Sequence, residues 1–195
     1  MKVLRYAWNV EGWEHFTRLF IAIGLLEGMK DALVRVQDAL YDCGVRGNFT
    51  PEENLHLTLA FIGEYPDAGR VLEALSQVSF TPFELCLEGA GCFGDLVWIG
   101  MRRSAPLDAL ARRVRHALAE GGVPFDRKRF SPHITLIRRV SGKLPGIAPE
   151  RVSMRVESFS LLRSDRGKGG MIYTSLGTIP ASGTEEKHDH DTSVL

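Results

Sequence analysis

Two tetrapeptides, His56-Leu57-Thr58-Leu59 and His133-Ile134-Thr135-Leu136, constrain this chain more than any other feature. They lie in apolar stretches, Leu55 to Ile62 and Ile134 to Ile137, which are short and rich in aliphatic residues and so read as β-strands. Side chains alternate faces along a strand, so His and Thr two positions apart share one face. Leu57 and Leu59, or Ile134 and Leu136, then turn the other way into a core. One histidine on an apolar strand can be a structural group satisfied by a hydrogen bond. A threonine at the same offset, with the whole pattern repeated, points to chemistry instead. Histidine is also the one side chain whose unperturbed pKa, about 6.5, lets it give and take protons near neutrality.

The two copies have similar surroundings, which indicates an internal duplication. Leu19-Phe20-Ile21-Ala22-Ile23 precedes the first and Leu96-Val97-Trp98-Ile99 the second; each is strand-like and is followed by a helical pattern. Phe20 and His56 are 36 positions apart, as are Val97 and His133. The first helix carries Met29, Leu33, Val36 and Leu40 on one face and stops near Gly44. The second carries Leu107, Leu110, Ala111, Val114 and Leu118, with Ser104 as N-cap, Pro106 in the first turn and Gly121-Gly122 as the stop. Both units read strand, helix, turn, His-x-Thr-Leu strand, so two similar lobes can face each other across a cleft.

Composition agrees with a folded body of this size. A chain of 195 residues that is 44% hydrophobic can bury a sizeable core. No stretch approaches the roughly 18 apolar residues of a membrane span, and the N-terminus has no secretory pattern. Cys43, Cys86 and Cys92 are odd in number and form no CxxC pair, which fits reduced, structural thiols and a cytoplasmic location. The formal net charge is zero, so no global field draws in a polyanion. Charge is local: Arg127, Lys128 and Arg129 precede the second motif, and Arg138 and Arg139 follow it. That is a basic setting for His133, suited to a phosphate.

The rest of the chain is plainer. Asp67 to Val78 reads as a helix, Phe83 to Leu87 as a strand, and Gly89 to Gly94 as a glycine-rich turn. Ser141 to Pro149 reads as loop, Val152 to Leu162 as one or two strands, Arg163 to Gly170 as a mobile basic loop, and Met171 to Leu176 as a last strand. The polar, aperiodic segment from Ala181 to Leu195 reads as a disordered tail, His188 and His190 included. His116, among arginines on a helix, reads as a surface residue.

Two imidazoles and two hydroxyls in one cleft suit one chemistry better than its rivals. A catalytic zinc site takes three protein ligands, threonine is not a customary one, and no third His, Cys or carboxylate recurs beside the motifs. Nothing resembles a nucleophile elbow. A general acid and a general base on opposite sides of a phosphorus, with two hydroxyls donating to its non-bridging oxygens, use every group present. Each proton-transfer group typically supplies about 10² to 10⁴-fold, and hydroxyl donors aimed at developing charge add to it.

The paired motifs resemble those of the two-histidine (2H) phosphoesterase superfamily. The strings RLFIAI from Arg18, FTPEENLHLTL from Phe49 and FSPHITL from Phe130 are similar to its bacterial RNA 2′,3′-cyclic phosphodiesterase branch, also called 2′-5′ RNA ligase. The likeness runs from about Arg18 to Ile179. It implies an α+β, bilobal, duplicated fold with antiparallel sheets and flanking helices around a central cleft. It implies opening of an RNA terminal 2′,3′-cyclic phosphate to a 2′-phosphate without metal or other cofactor, and weak, reversible 2′-5′ joining. By the same likeness His56 is the proton donor and His133 the proton acceptor, with Thr58 and Thr135 completing the catalytic set. Arg129, Arg163 and Ser164 match recurrent positions near the groove, and Phe49 and Phe130 are candidates to stack a base, although core packing suits both. The expected partner is RNA ending in a cyclic phosphate, met by a monomer with no membrane association.

The likeness leaves two segments unmatched: an aromatic-rich extension over residues 1–17 before a domain of 18–180, and the tail 181–195. A catalytically idle RNA- or phosphate-binding module is the rival from another class. It has no need of two titratable imidazoles, since binding sites favour the permanently charged Arg and Lys. The same residues would also serve another cyclic nucleotide or a 2′-5′-linked oligonucleotide.

Overall fold

The computed structural model describes residues 17–146 and 148–183. In chain order the elements are β1 (Thr17–Gly24), α1 (Glu27–Asp42), β2 (Arg46–Phe49), a 3₁₀ turn (Glu52–Asn54), β3 (His56–Tyr65), α2 (Ala68–Leu75), β4 (Phe83–Phe93), β5 (Leu96–Met101), α3 (Ala105–Glu120), β6 (His133–Ser141), β7 (Ser153–Val156), β8 (Ser158–Gly167) and β9 (Gly170–Pro180). The strands form two antiparallel sheets, ordered β3-β1-β8-β9 and β2-β6-β5-β4-β7. The α+β, two-sheet architecture expected from the motifs is the one observed.

The helices follow from local sequence. Ser104 accepts a hydrogen bond from the Leu107 amide to cap α3, Pro106 lies in its first turn, and Gly122 takes φ +67° after its end. The buried faces are Met29, Leu33, Gln37 and Leu40 on α1, and Leu107, Leu110, Val114 and Leu118 on α3. Both helices join Leu57, Leu59, Val97, Ile99, Ile134 and Leu136 of the sheets in one continuous core. Each fully buried aliphatic side chain there contributes about 1.5–3 kcal/mol.

The repeat units interlock. Within each unit the first strand pairs with the motif strand, β1 with β3 and β5 with β6. However, β2, which follows α1 in the first unit, pairs with β6 of the second, and α3, which leaves the second sheet, packs against β3 of the first. The equal spacing of 36 does not mark equivalent residues. His56 faces Gly24 and His133 faces Gly100, so the cross-strand counterparts are 32 and 33 positions apart.

Several local readings change. The glycines from Gly89 to Gly94 lie mostly within β4, which runs on to Phe93 before turning at Gly94 and Asp95. The segment Arg163 to Gly170 belongs largely to the β8–β9 hairpin rather than to a mobile loop, because successive residues from Arg163 to Gly167 pair in register with those from Thr174 back to Gly170. α2 ends at Leu75, short of Val78, with Asp67 accepting from the Arg70 amide as its cap. Thr17 begins β1 rather than ending an extension. Ala181 is buried and its amide bonds to the Glu157 carbonyl, so it belongs to the body. Residues 1–16 and 184–195, which hold the expected extension and tail, lie outside the described residues.

Candidate active site

Each motif histidine opens its strand and stands opposite a glycine on the neighbour, Gly24 for His56 and Gly100 for His133. Each is anchored alike: Nδ1 of His56 lies 2.7 Å from the Asn54 carbonyl oxygen, and Nδ1 of His133 lies 2.7 Å from the Ser131 carbonyl oxygen. A carbonyl only accepts, so Nδ1 carries a proton in both rings and Nε2 is left for chemistry. Nε2 of His56 is 3.1 Å from Thr58 Oγ1. In the neutral ring that hydroxyl donates to Nε2. Asn54 is itself buried, and its amide donates to the Met171 carbonyl at 2.8 Å, tying the β8–β9 hairpin to the His56 support.

Aromatic rings brace both imidazoles. His56 packs on Phe20 at 5.0 Å and edge-on to Tyr173 at 5.3 Å, while His133 lies edge-on to Phe93 at 5.3 Å and tilted to Trp98 at 6.3 Å. Burial holds the His56 pKa below its ordinary 6.5, and the nearby charges of Arg138 and His133 push the same way; the bond to Asn54 opposes them without cancelling them. β3 and β6 lie in contact, so the two motif strands are neighbours across the two sheets.

Arg138 reaches the His133 face through an irregularity that simple alternation misses. In the β1–β3 ladder Ala22 faces Thr58 and Ile21 faces Ala60, so Leu59 is an extra residue. In the β5–β6 ladder Trp98 faces Thr135 and Val97 faces Ile137, so Leu136 is extra. Both bulges fall three positions after the histidine. A bulge resets the alternation, which is why Leu59 and Ala60, and likewise Leu136 and Ile137, are all buried. Phe61 and Arg138, five positions after each histidine, therefore turn to the cleft face. Phe61 stands opposite Phe20 there. In the sequence each bulge leaves only two adjacent apolar residues after His-x-Thr, which a regular strand can carry as well.

The second bulge is held from beneath. The carbonyl of Leu136 accepts from the Thr50 amide at 2.8 Å and from Gln37 Nε2 at 2.9 Å. Gln37, a buried polar residue on α1, also donates to the Thr50 carbonyl at 2.9 Å.

The other expected site residues divide. Thr135 shares the His133 face and is half-buried. Ser164 faces Tyr173 and Arg18 and so lies on the cleft side of its sheet. Arg163 faces Leu19 on the core side, and its Nε is 2.7 Å from Asp165 Oδ2. Arg129 is exposed in the segment leading to β6. Phe130 packs against the core, and Phe49 does the same opposite Ile137, edge-on to Tyr41. Neither position makes these two rings a stacking surface. The open groove between α2 and α3, about 830 Å³, includes His116 and shares no residue with the motifs. Among the described residues, no three His, Cys, Asp or Glu side chains gather into a metal site.

The sequence profile of the 2′-5′ RNA ligase superfamily matches residues 45–168, which include both motifs. The chain belongs to that superfamily. Among its relatives, the RNA 2′,3′-cyclic phosphodiesterase of Methanothermobacter thermautotrophicus is 32% identical over 179 residues, 82% of this chain and 96% of its own. The Escherichia coli enzyme of the same name is 33% identical over 168 residues, 82% of this chain and 93% of its own. The crystal structure of Escherichia coli LigT with 3′-AMP superposes with a TM-score of 0.75 at 30% identity, covering 86% of this chain and 99% of that one. The two-sheet arrangement of this 2′-5′ RNA ligase superfamily member is thus shared with solved relatives over nearly their whole length.

Proposed function

We propose that this cleft opens the 2′,3′-cyclic phosphate at an RNA end to a 2′-phosphate by acid–base catalysis between His56 and His133. The chain is an RNA 2′,3′-cyclic phosphodiesterase, the activity for which its curated relatives are named. The observation that carries the mechanism is the matched anchoring of the two rings. Each is held through Nδ1–H at 2.7 Å from a backbone carbonyl, which commits Nε2 to the substrate.

The phosphorus sits between the two Nε2 atoms. His133 Nε2 takes a proton from water as the water oxygen bonds to phosphorus. The P–O3′ bond breaks on the opposite side, and His56 Nε2–H delivers its proton to O3′. The product is a 2′-phosphate with a free 3′-hydroxyl. Thr58 and Thr135 donate to the non-bridging oxygens, and the Arg138 guanidinium offsets their charge. The choice of His56 as acid follows the likeness to the superfamily. In joining, an RNA 5′-hydroxyl takes the place of water. Imidazoles, hydroxyls and a guanidinium can carry this route without a metal, and turnover in EDTA is the check on that reading.

The test is a short RNA ending in 2′,3′-cyclic phosphate, incubated with the protein in EDTA, with 2′- and 3′-phosphate products separated. A 2′-phosphate product, lost by at least about 10²-fold in His56→Ala and in His133→Ala, is expected. A 3′-phosphate product would reverse the leaving oxygen. Binding without turnover would replace the enzyme with a binding module.

A further inference from the structure

The two lobes differ at one cleft position in a way that hydrolysis does not require. The residue facing Thr58 is Ala22, whereas the residue facing Thr135 is Trp98. The indole lies against β4 and β5, where two glycines clear its bed. A Cβ at Gly91 would stand 2.8 Å from Trp98 Cη2, and one at Gly100 would stand 3.1 Å from Trp98 Cζ3. Phe93, at the tip of the β4–β5 hairpin, lies 5.1 Å from the indole and is 48% exposed. The same ring touches His133 edge-on. An indole bedded on two glycines, with a half-exposed phenyl ring beside it, is an aromatic surface next to His133 at the position where the other lobe has Ala22. The indole nitrogen is buried and meets no hydrogen-bond partner among the described residues, so packing positions the ring.

We propose that Phe93 and Trp98 form a nucleobase-stacking subsite for the second nucleoside, the one attached through its 5′-oxygen to the phosphate. The inference rests on the proposed acid–base reading. In an in-line displacement the two exchanged oxygens lie on opposite sides of phosphorus. If O3′ of the cyclic end faces His56, the other oxygen faces His133. In hydrolysis that oxygen is water, which needs no platform. In joining it is the 5′-hydroxyl of another RNA, whose base then lies over Phe93 and Trp98. In the reverse direction His56 takes the proton of the 3′-hydroxyl, O3′ bonds to phosphorus, and the P–O5′ bond of a 2′-5′ linkage breaks. His133 then protonates O5′, giving a cyclic phosphate and a 5′-hydroxyl. Stacking on aromatic side chains is tolerant of base identity because every base has a π-face, so this subsite selects for the presence of a second nucleoside rather than for its sequence.

The test uses 2′-5′-linked dinucleoside monophosphates with a 3′-O-methyl block, which cannot be turned over, titrated by calorimetry into the intact protein. One ligand carries a base on the second sugar and the other is abasic there, and the ratio of the two affinities is read within each variant. A stacked base typically contributes about 1–3 kcal/mol, or about 5- to 150-fold, so the wild type should favour the base-bearing ligand by about tenfold. Phe93→Leu should bring the ratio near one, and Phe93→Tyr should keep it. A ratio near one in the wild type, or one that survives Phe93→Leu, would overturn the subsite. Failure of the acid–base reading itself registers separately, as absence of cyclic-phosphate opening by the same wild-type sample.

Discussion

A backbone carbonyl can only accept, and that single constraint organises the site at the scale of the residue. It makes Nδ1 the protonated nitrogen in both His56 and His133 and leaves Nε2 of each ring as the nitrogen not held by that carbonyl. Their surroundings then separate them. His56, walled by Phe20 and Tyr173 and facing the charges of Arg138 and His133, is held below its ordinary pKa of 6.5 by burial first and by those charges second. In the free protein the neutral ring is therefore favoured at neutral pH. A bound phosphodiester anion acts in the opposite direction, because negative charge stabilises imidazolium. The profile of kcat/KM against pH, which reports the free enzyme, should be a bell whose lower apparent pKa lies below 6.5. In kcat, which reports the complex, that value should move upward. A lower limb at or above 6.5 in kcat/KM would contradict the desolvation of His56. The assignment of His56 as acid has its own check. A 4-nitrophenyl phosphodiester has a leaving group that needs no proton, so on it His56→Ala should lose at least about tenfold less than on the cyclic phosphate, and His133→Ala should not be spared.

Elements decide which side chains these histidines meet. A regular strand would point Arg138 into the core; the bulge at Leu136 turns it to the face that carries His133, and Gln37 on α1 supports that bulge through the Leu136 carbonyl. Two substitutions separate the support from the contact. Gln37→Leu leaves a buried carbonyl with one fewer donor and should cost about 1–2 kcal/mol, a fall in Tm of about 3–6 °C for a domain of this size. Arg138→Ala removes a charge-assisted contact to substrate, worth about 1.5–3 kcal/mol, and should lower kcat/KM by at least about tenfold with little change in Tm. An Arg138 variant with a large loss of Tm and normal kinetics would make it structural. Much at this scale was legible in the sequence: the helices through their caps and periodicity, the motif strands through alternation. The bulges were not, since Leu59-Ala60 and Leu136-Ile137 look the same whether the pair straddles the sheet or both enter the core. The hairpin formed by β8 and β9 was hidden for a related reason. Arg163, Ser164, Asp165 and Arg166 have the composition of a loop, and only pairing with the residues from Met171 to Thr174 makes them a strand.

At the scale of the whole molecule, the site exists because two sheets share a core while their motif strands meet at one cleft. His56 and His133 belong to different sheets, so the proposed acid–base pair needs both. Groups that act as a unit are not additive. The double variant His56→Ala/His133→Ala should therefore lose little more than the worse single variant, instead of the product of the two losses. A multiplicative loss would mean that the histidines serve separate steps or sites. Turnover of the cyclic phosphate should also be the same with and without EDTA. Loss with chelator that zinc or manganese restores would overturn the metal-free reading.

By itself the sequence determined the twin His-x-Thr faces, the helices that flank them, the α+β class and the superfamily. The faces and helices are written in residues a few positions apart, through alternation, capping and periodicity; the class and the superfamily came from the likeness of the strings around both motifs. The likeness to the superfamily also matched Arg129, Arg163 and Ser164 to positions near the groove and offered Phe49 and Phe130 for stacking or core packing. Tertiary structure decided the rest: that β2 crosses to the second sheet, that Arg163 faces the core side while Ser164 faces the cleft, and that Phe49 packs inward while Phe61 turns out. It also bedded Trp98 on two glycines from adjacent strands. Those outcomes depend on register between strands distant in the chain. A shift of one residue in register reverses every side chain, and only the packed core holds that register in place.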